Sequence, residues 1–232
     1  MYYAPEAPGR LAMAPPAGAQ QLIILLHGVG SNPASLLDMA EAFRRVWPGA
    51  AIAIPAGLQP FDAGAGMAQH QQQWFSVRGV TEDNRYERVA AVMPAFISLI
   101  RSIQETTKVP PADTVLAGFS QGAIMALEAV KAEDGLAGRV MAFSGRYAQL
   151  PEKAPEHTSI GLYHGDQDEV MPVQVAQAAF DRLHELGGDV TLDIAHGVGH
   201  QPHPVLVAEA IDRLQKQLPA RLWKKALGGP PR

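Results

Sequence analysis

Apolar residues follow two alternating patterns along this chain. Short runs that are apolar throughout are typical of strands buried on both faces, and each precedes a stretch with apolar positions at helical spacing. The predicted strands are 21–27, 51–54, 114–119, 140–144, 160–164 and 190–194. The predicted helices are 33–47, 121–132, 173–186 and 204–217, a long helix capped by Asp83 or Asn84 that runs to about residue 106 with a kink at Pro94, and a short helix at 221–227.

This alternation predicts an α/β fold with a mainly parallel sheet and helices on both of its faces. Such sheets carry their chemistry in the loops at the carboxyl ends of the strands. About fifteen residues separate the strands at 140–144 and 160–164, which leaves no room for a cap domain there. The length of 232 residues fits one such domain, placed at 21–232, after an N-terminal arm at 1–20 that is rich in Ala, Pro and Gly.

Composition excludes several classes of protein. Without cysteine there are no disulfides, thiolate metal sites or cysteine nucleophile. A net charge of −4 gives no reason to expect a nucleic-acid partner. The longest apolar run, 22–26, is far shorter than the ~20 residues that span a bilayer, so we expect no stable membrane insertion. The first residues do not resemble a signal peptide, so we expect a cytoplasmic location.

The segment GFSQG at 118–122 is the strongest candidate for chemistry. It matches the pattern G-x-S-x-G and stands between a predicted strand and a predicted helix, as a nucleophile elbow requires. The serine of an elbow occupies a strained turn, and the flanking glycines let the strand and the helix approach each other. We predict that Ser120 is a nucleophile; the alternative is an ordinary Gly-Ser turn.

A serine nucleophile needs a histidine base and an acid that orients the base. Where a strand–elbow–helix carries the serine, the acid and then the histidine follow it in the chain. The next polar strand end after Ser120 is HGDQD at 164–168. Asp166 directly follows a glycine and suits a turn, whereas Asp168 lies where the loop can return to a histidine. We favour Asp168 as the acid.

Three histidines compete for the role of base: His196, His200 and His203. His196 is close to the strand end, and His203 precedes Pro204, which suits the first turn of a helix. We favour His200 because it follows two glycines in the loop between the other two histidines. From there its ring can reach Ser120 while its other nitrogen meets the acid. The polar strand ends also contain metal-ligating residue types, but none has a ligand spacing such as H-E-x-x-H, so we expect no metal and no cofactor.

The transition state of acyl transfer places negative charge on the carbonyl oxygen of the substrate, and two backbone N–H groups usually bind it. One donor belongs to the residue after the nucleophile, here Gln121. The other comes from the loop after an early strand, where HGVG follows at 27–30. We expect the N–H of Val29 to be this second donor; the alternative is that His27 and Gly28 only turn the chain.

Four segments resemble the phospholipase/carboxylesterase family, which includes bacterial carboxylesterases and the acyl-protein thioesterases. They are LHGVG at 26–30, WFSVRGVTEDNR at 74–85, GFSQGAIMAL at 118–127 and HGDQDEVMPV at 164–173. The resemblance covers nearly the whole chain from residue 21 onward and implies a lidless α/β hydrolase acting on esters, lysophospholipids or thioesters. It implies Ser120 as nucleophile, Asp168 as acid, His200 as base, and Val29 and Gln121 as oxyanion donors.

The chain departs from the family pattern in small ways. Ala123 stands where many members have a second glycine after the elbow, and Glu169 stands where many have proline. Neither change removes a catalytic group, although GHQPHP around His200 matches the family only weakly. In the long connection 55–83, Trp74 and Phe75 are either core residues or pocket wall, and the resemblance favours a wall near the acyl chain for at least one of them.

These features predict a serine carboxylesterase that forms an acyl-enzyme on Ser120 and hydrolyses short- to medium-chain carboxylic esters, with thioesters or lysophospholipids as further substrates. A thioesterase or an acyltransferase is the enzymatic alternative, because all three share the acyl-enzyme. The non-enzymatic alternative is a catalytically idle α/β-hydrolase that serves as a binding module. The expected partner is a small-molecule ester or thioester, and a homodimer is left open.

Overall fold

The computed structural model describes residues 18–63 and 70–216. Eight strands lie in this part of the chain: β1 (Leu22–Leu26), β2 (Ala51–Ala53), β3 (Gln59–Pro60), β4 (Gln72–Gln73), β5 (Thr114–Phe119), β6 (Arg139–Phe143), β7 (Ser159–Gly165) and β8 (Val190–Ala195). The α-helices are α1 (Leu37–Val46), α2 (Glu82–Thr107), α3 (Gln121–Ala132), α4 (Val173–Glu185) and α5 (Pro204–Lys216). Most of the predicted arm and the predicted helix at 221–227 lie outside the described residues.

Six strands form one sheet in the order β2-β1-β5-β6-β7-β8, and all its neighbouring pairs are parallel. The side chains of β1 alternate between the two faces: Leu22, Ile24 and Leu26 pack with α2, α3 and α4, whereas Ile23 and Leu25 pack with α1 and α5. Because helices cover both faces, every position of β1 is buried, which explains its uniformly apolar sequence. The predicted parallel α/β fold is confirmed.

The helix boundaries correct two details of the predicted elements. The predicted helix at 33–47 begins as a 3₁₀ turn, Pro33–Leu36, before α1 starts. Thr81, rather than Asp83 or Asn84, is the N-cap of α2, and the side chain of Asn84 instead accepts a hydrogen bond from the N–H of Thr81 at 2.9 Å. This reciprocal arrangement satisfies an N–H group that the helix leaves free, as in a capping box.

The long connection after β2 contains an antiparallel ribbon that the sequence did not predict. Strands β3 and β4 pair within it, and Gln72 also bridges to Ser31, just after the first loop of the sheet. The N–H of Gly30 donates to the carbonyl of Gln72 at 2.9 Å, and the N–H of Gln72 donates to the carbonyl of Ser31 at 2.8 Å. The ribbon therefore holds the loop that follows β1.

The connection between β6 and β7, residues 144–158, contains no helix or strand, which agrees with the prediction that no cap domain is inserted there. Across the part of the chain that the structure describes, no helix is both long and apolar enough to cross a membrane.

Candidate active site

Ser120 lies at the sharp turn between β5 and α3. Its backbone has φ 54° and ψ −117°, a strained conformation that L-residues rarely adopt. A Cβ at Gly118 would overlap the backbone of Gly122, and a Cβ at Gly122 would overlap the carbonyl group of Leu26. Only glycine fits at these two positions, so the sequence of the elbow follows directly from the close approach of α3 to β5 and β1.

The structure brings Ser120, His200 and Asp168 into one hydrogen-bonded chain. The Oγ of Ser120 is 2.9 Å from the Nε2 of His200, and the Nδ1 of His200 is 2.8 Å from the Oδ2 of Asp168. A carboxylate only accepts hydrogen bonds, so Nδ1 carries the proton and Nε2 is free to accept the proton of the serine hydroxyl. This is the relation between nucleophile, base and acid that nucleophilic catalysis requires.

The carboxylate of Asp168 is held in its charged form. Burial disfavours the charge, but the N–H of Met171 and the ring of His200 donate hydrogen bonds that outweigh burial and lower the pKa of Asp168 below its usual value. The N–H of Val170 donates to the same carboxylate oxygen as that of Met171, at 3.0 Å. The acid is therefore fixed in position by its own loop and can orient His200.

The competing residues lie elsewhere. Asp166 accepts hydrogen bonds from His196 Nδ1 at 2.9 Å and from the N–H of Gly197 at 2.7 Å, so these two side chains form a separate pair on the same two loops. The side chain of His196 is 91% exposed. The Nδ1 of His203 accepts a hydrogen bond from the N–H of Val205 in the first turn of α5. Neither histidine is hydrogen-bonded to Ser120.

His164 is a buried residue of this site that the sequence singled out only as a polar strand end. Its Nε2–H donates to the carbonyl of Met171 at 2.7 Å, and the same nitrogen lies 3.4 Å from the Oδ2 of Asp168. Burial lowers the pKa of His164, so the ring is neutral at neutral pH. The ring of His164 therefore holds the loop that carries Asp168 through its bond to Met171, without adding a charge.

The two predicted oxyanion donors lie on neighbouring loops. Gln121 is the first residue of α3, where backbone N–H groups are free and the helix dipole favours negative charge. Val29 is in the loop that follows β1, and β1 and β5 pair directly as far as Leu26 and Gly118. Both loops therefore leave the same edge of the sheet, next to Ser120.

Trp74 and Phe75, for which the sequence left a core role and a pocket wall open, are both buried. Trp74 has no exposed surface, and its ring packs edge-to-face on Phe96 with centroids 5.3 Å apart. Its indole N–H donates to the carbonyl of His27 at 2.8 Å. Phe75 is 3% exposed and belongs to the same core cluster. The sequence of two adjacent aromatic residues does not reveal which way each side chain faces, and here both pack in the core.

A groove of about 1050 Å³ runs along α2 and α3. Tyr86, Met93, Arg101 and Lys131 are among the residues that line it, and none of the predicted site residues does. In the described part of the chain, no three His, Asp or Glu side chains are grouped so that they could hold a metal ion.

Known proteins similar to this chain identify its family. The sequence profile of the Phospholipase/Carboxylesterase family matches residues 11–218. The chain belongs to the phospholipase/carboxylesterase family. The resemblance inferred from the four segments is thereby confirmed, and so are the α/β-hydrolase fold and the hydrolase class of the protein.

Relatives within the family differ in their named activities. The chain is 45% identical over 219 residues to "Esterase YpfH" of Escherichia coli (strain K12), covering 94% of this chain and 92% of the relative. It is 26% identical to "Acyl-protein thioesterase 1" of Gibberella zeae, covering 92% and 98% of the two chains. Among solved structures, that of esterase PE8 superposes with a TM-score of 0.76 at 28% identity, covering 94% of this chain and 99% of that one.

Proposed function

We propose that the protein is a serine carboxylesterase that hydrolyses short- to medium-chain carboxylic esters through an acyl-enzyme on Ser120, with Asp168 and His200 as the acid and base. The observation that carries this proposal is the unbroken hydrogen-bonded chain from Ser120 Oγ through the His200 ring to Asp168. Three side chains from the ends of three different strands form a nucleophile–base–acid arrangement of the kind that activates a serine hydroxyl.

In the first half of the reaction, His200 Nε2 takes the proton of Ser120 as Oγ bonds to the carbonyl carbon of the ester. The carbonyl electron pair moves to oxygen, and the N–H groups of Val29 and Gln121 bind the resulting oxyanion. When the carbonyl re-forms, the bond to the alkoxy oxygen breaks. His200 gives its proton to that oxygen, so an alcohol leaves and the acyl group stays on Ser120.

In the second half, His200 takes a proton from a water molecule, and the water oxygen attacks the acyl carbon. The collapse of the second oxyanion breaks the bond to Oγ, and His200 returns its proton to Ser120. The carboxylic acid product is released with the enzyme restored. Asp168 keeps the imidazole in the correct tautomer and stabilises its charged form in both halves, without taking up a proton itself.

A thioesterase is a second candidate because several relatives of 24–30% identity are named acyl-protein thioesterases. The same steps cleave a thioester, with a thiol in place of the alcohol, and an acyltransferase differs only in the acceptor that replaces water. An idle binding module fits less well, because the strained backbone of Ser120 and the charged, buried Asp168 cost stability, which catalysis explains and ligand binding alone does not.

The remaining expectations concern the organisation and surroundings of the protein. A single catalytic domain over 21–232 is supported by the one six-stranded sheet of the described residues, although the family match begins at residue 11, inside the predicted arm. The small-molecule substrate follows from the family. A cytoplasmic location and the absence of a nucleic-acid partner rest on the sequence, with its net charge of −4.

The decisive experiment combines activity with site labelling. Purified protein is assayed on p-nitrophenyl esters of increasing acyl length beside acyl thioesters, and Ser120→Ala is assayed in parallel. We expect turnover to be highest on short to medium esters and to vanish in the variant. A fluorophosphonate probe should label Ser120; labelling of Ser144 or Ser76, or full activity of Ser120→Ala, would overturn the assignment.

A further inference from the structure

Trp74 lies between the two loops that carry the proposed oxyanion donors. Its indole Nε1–H donates to the carbonyl of His27 at 2.8 Å, and the rings of the two residues are in contact with centroids 5.2 Å apart. The chain reaches Val29 two residues after His27. The indole therefore holds the start of the loop that presents the N–H of Val29.

The backbone of the same residue holds the other donor. The N–H of Trp74 donates to the side-chain Oε1 of Gln121 at 2.7 Å, and the Nε2 of Gln121 donates to the carbonyl of Phe75 at 2.7 Å. Both bonds are buried, so each is protected from competition with water. The carboxamide of Gln121 thus makes two hydrogen bonds to the backbone of residues 74–75.

The indole is enclosed by the core. It is completely buried, and Phe96 of α2 packs edge-to-face against it with centroids 5.3 Å apart at 89°. The direct pairing of β1 with β5 ends at Leu26 and Gly118, before either donor residue is reached. Beyond that point, the hydrogen bonds to residues 74–75 connect the two loops.

We propose that Trp74 is a positioning residue that fixes the spacing between the N–H groups of Val29 and Gln121. The Trp74 staple is defined here as the indole hydrogen bond to His27 together with the two hydrogen bonds of the Gln121 carboxamide. It ties the loops that carry the two donors to the same buried segment of the chain. This inference rests on the proposed function. The staple stabilises the oxyanion because two donors must reach the same oxygen at hydrogen-bond distance, and a misplacement of 1 Å can cost about 100-fold in rate.

Two substitutions test the staple. Trp74→Phe removes the indole N–H and keeps an aromatic ring against Phe96, whereas Gln121→Met keeps the length of the side chain and loses both of its hydrogen bonds. We expect each variant to lower kcat on p-nitrophenyl acetate by about 10- to 100-fold with little change in KM, because the donors act on the transition state. Affinity for an alkylboronic acid, which forms a tetrahedral adduct with Ser120, should fall by a similar factor.

Phe43→Leu is the matched control. Phe43 is fully buried in the core on the opposite face of the sheet from Trp74, and its ring stacks on Trp47. The substitution should therefore lower the free energy of unfolding while keeping kcat and boronate affinity close to wild type. If Trp74→Phe does not fold, Gln121→Met decides the question. The inference is overturned if both staple variants keep wild-type kcat and boronate affinity, or if Phe43→Leu loses as much kcat as Trp74→Phe.

The outcome is separable from that of the proposed function. Labelling and loss of activity at Ser120 in the wild-type background test the function alone. If Ser120 is labelled and required while the staple variants behave as wild type, the function stands and only the positioning role of Trp74 is refuted.

Discussion

Replacing Gly122 with alanine tests how closely the nucleophile helix must approach the strand beside it. A Cβ at this position would lie 2.6 Å from the carbonyl carbon of Leu26 and 2.8 Å from the carbonyl oxygen of His27. Non-bonded carbon atoms settle about 3.5–4.0 Å apart, so relieving the contact needs a shift of about 1 Å between α3 and β1. Since both partners are backbone, no side chain can rotate away, and we expect Gly122→Ala to lose about 1–3 kcal/mol of unfolding free energy or more.

The same shift would reach the chemistry. Leu26 and His27 lead into the loop that carries Val29, and Gly122 follows Gln121 at the start of α3. Pushing these segments apart by about 1 Å would separate the two oxyanion donors, which corresponds to a loss of about 100-fold in kcat. Both losses should therefore appear together in one variant.

Urea denaturation and steady-state kinetics on p-nitrophenyl acetate measure the two effects. Gly49→Ala is the control, because a Cβ added there has nothing within 4 Å and the backbone does not require glycine. That variant should match the wild type in kcat and be equally or slightly more stable. A Gly122→Ala protein with the wild-type unfolding midpoint and kcat would refute the idea that close packing of α3 on β1 sets the geometry of the site.

Three further expectations follow from the site. His200→Ala should lower kcat at least about a thousandfold, whereas His196→Ala and His203→Ala should cost far less; an inactive His203→Ala variant would contradict the choice of base. Burial lowers the pKa of His27 and of His164 below the ordinary value of 6.5. Below about pH 6.5 the unfolded chain therefore binds more protons than the folded protein, so the free energy of unfolding should decrease as the pH is lowered. A urea midpoint that stays constant from about pH 7 down to about pH 5 would contradict this. Extended dialysis against a chelator should leave the esterase rate unchanged, and a loss restored by zinc would show that a metal takes part.

The sequence predicts best where periodicity and local chemistry agree. Strand β5, the elbow and α3 appear with the predicted boundaries, because an apolar run, a G-x-S-x-G turn and a helical pattern meet there. The choice of Asp168 and His200 followed from the order of acid and histidine after the serine and from their place in loops at strand ends. Both features can be read from a few neighbouring residues.

Long-range packing was harder to predict. The ribbon of β3 and β4 consists largely of glutamine and has no alternation of apolar and polar positions, so nothing in its sequence marks it as a strand pair. The burial of Trp74 depends on contacts with His27 and Phe96, which are distant in the chain. A pocket wall and a core residue have the same apolar character, so residue type alone could not separate the two roles.

The histidines of the two Asp–His pairs, Asp166–His196 and Asp168–His200, should react with histidine-directed reagents at different rates. The side chain of His196 is 91% exposed and that of His200 is 17% exposed. Diethyl pyrocarbonate will therefore modify His196 early, while His200, the proposed base, is still intact. Inactivation will lag behind the number of modified histidines, and a competitive inhibitor will protect only the slower phase. A plot of activity against the number of modified residues would thus suggest more than one essential histidine, even though the proposed mechanism uses a single base.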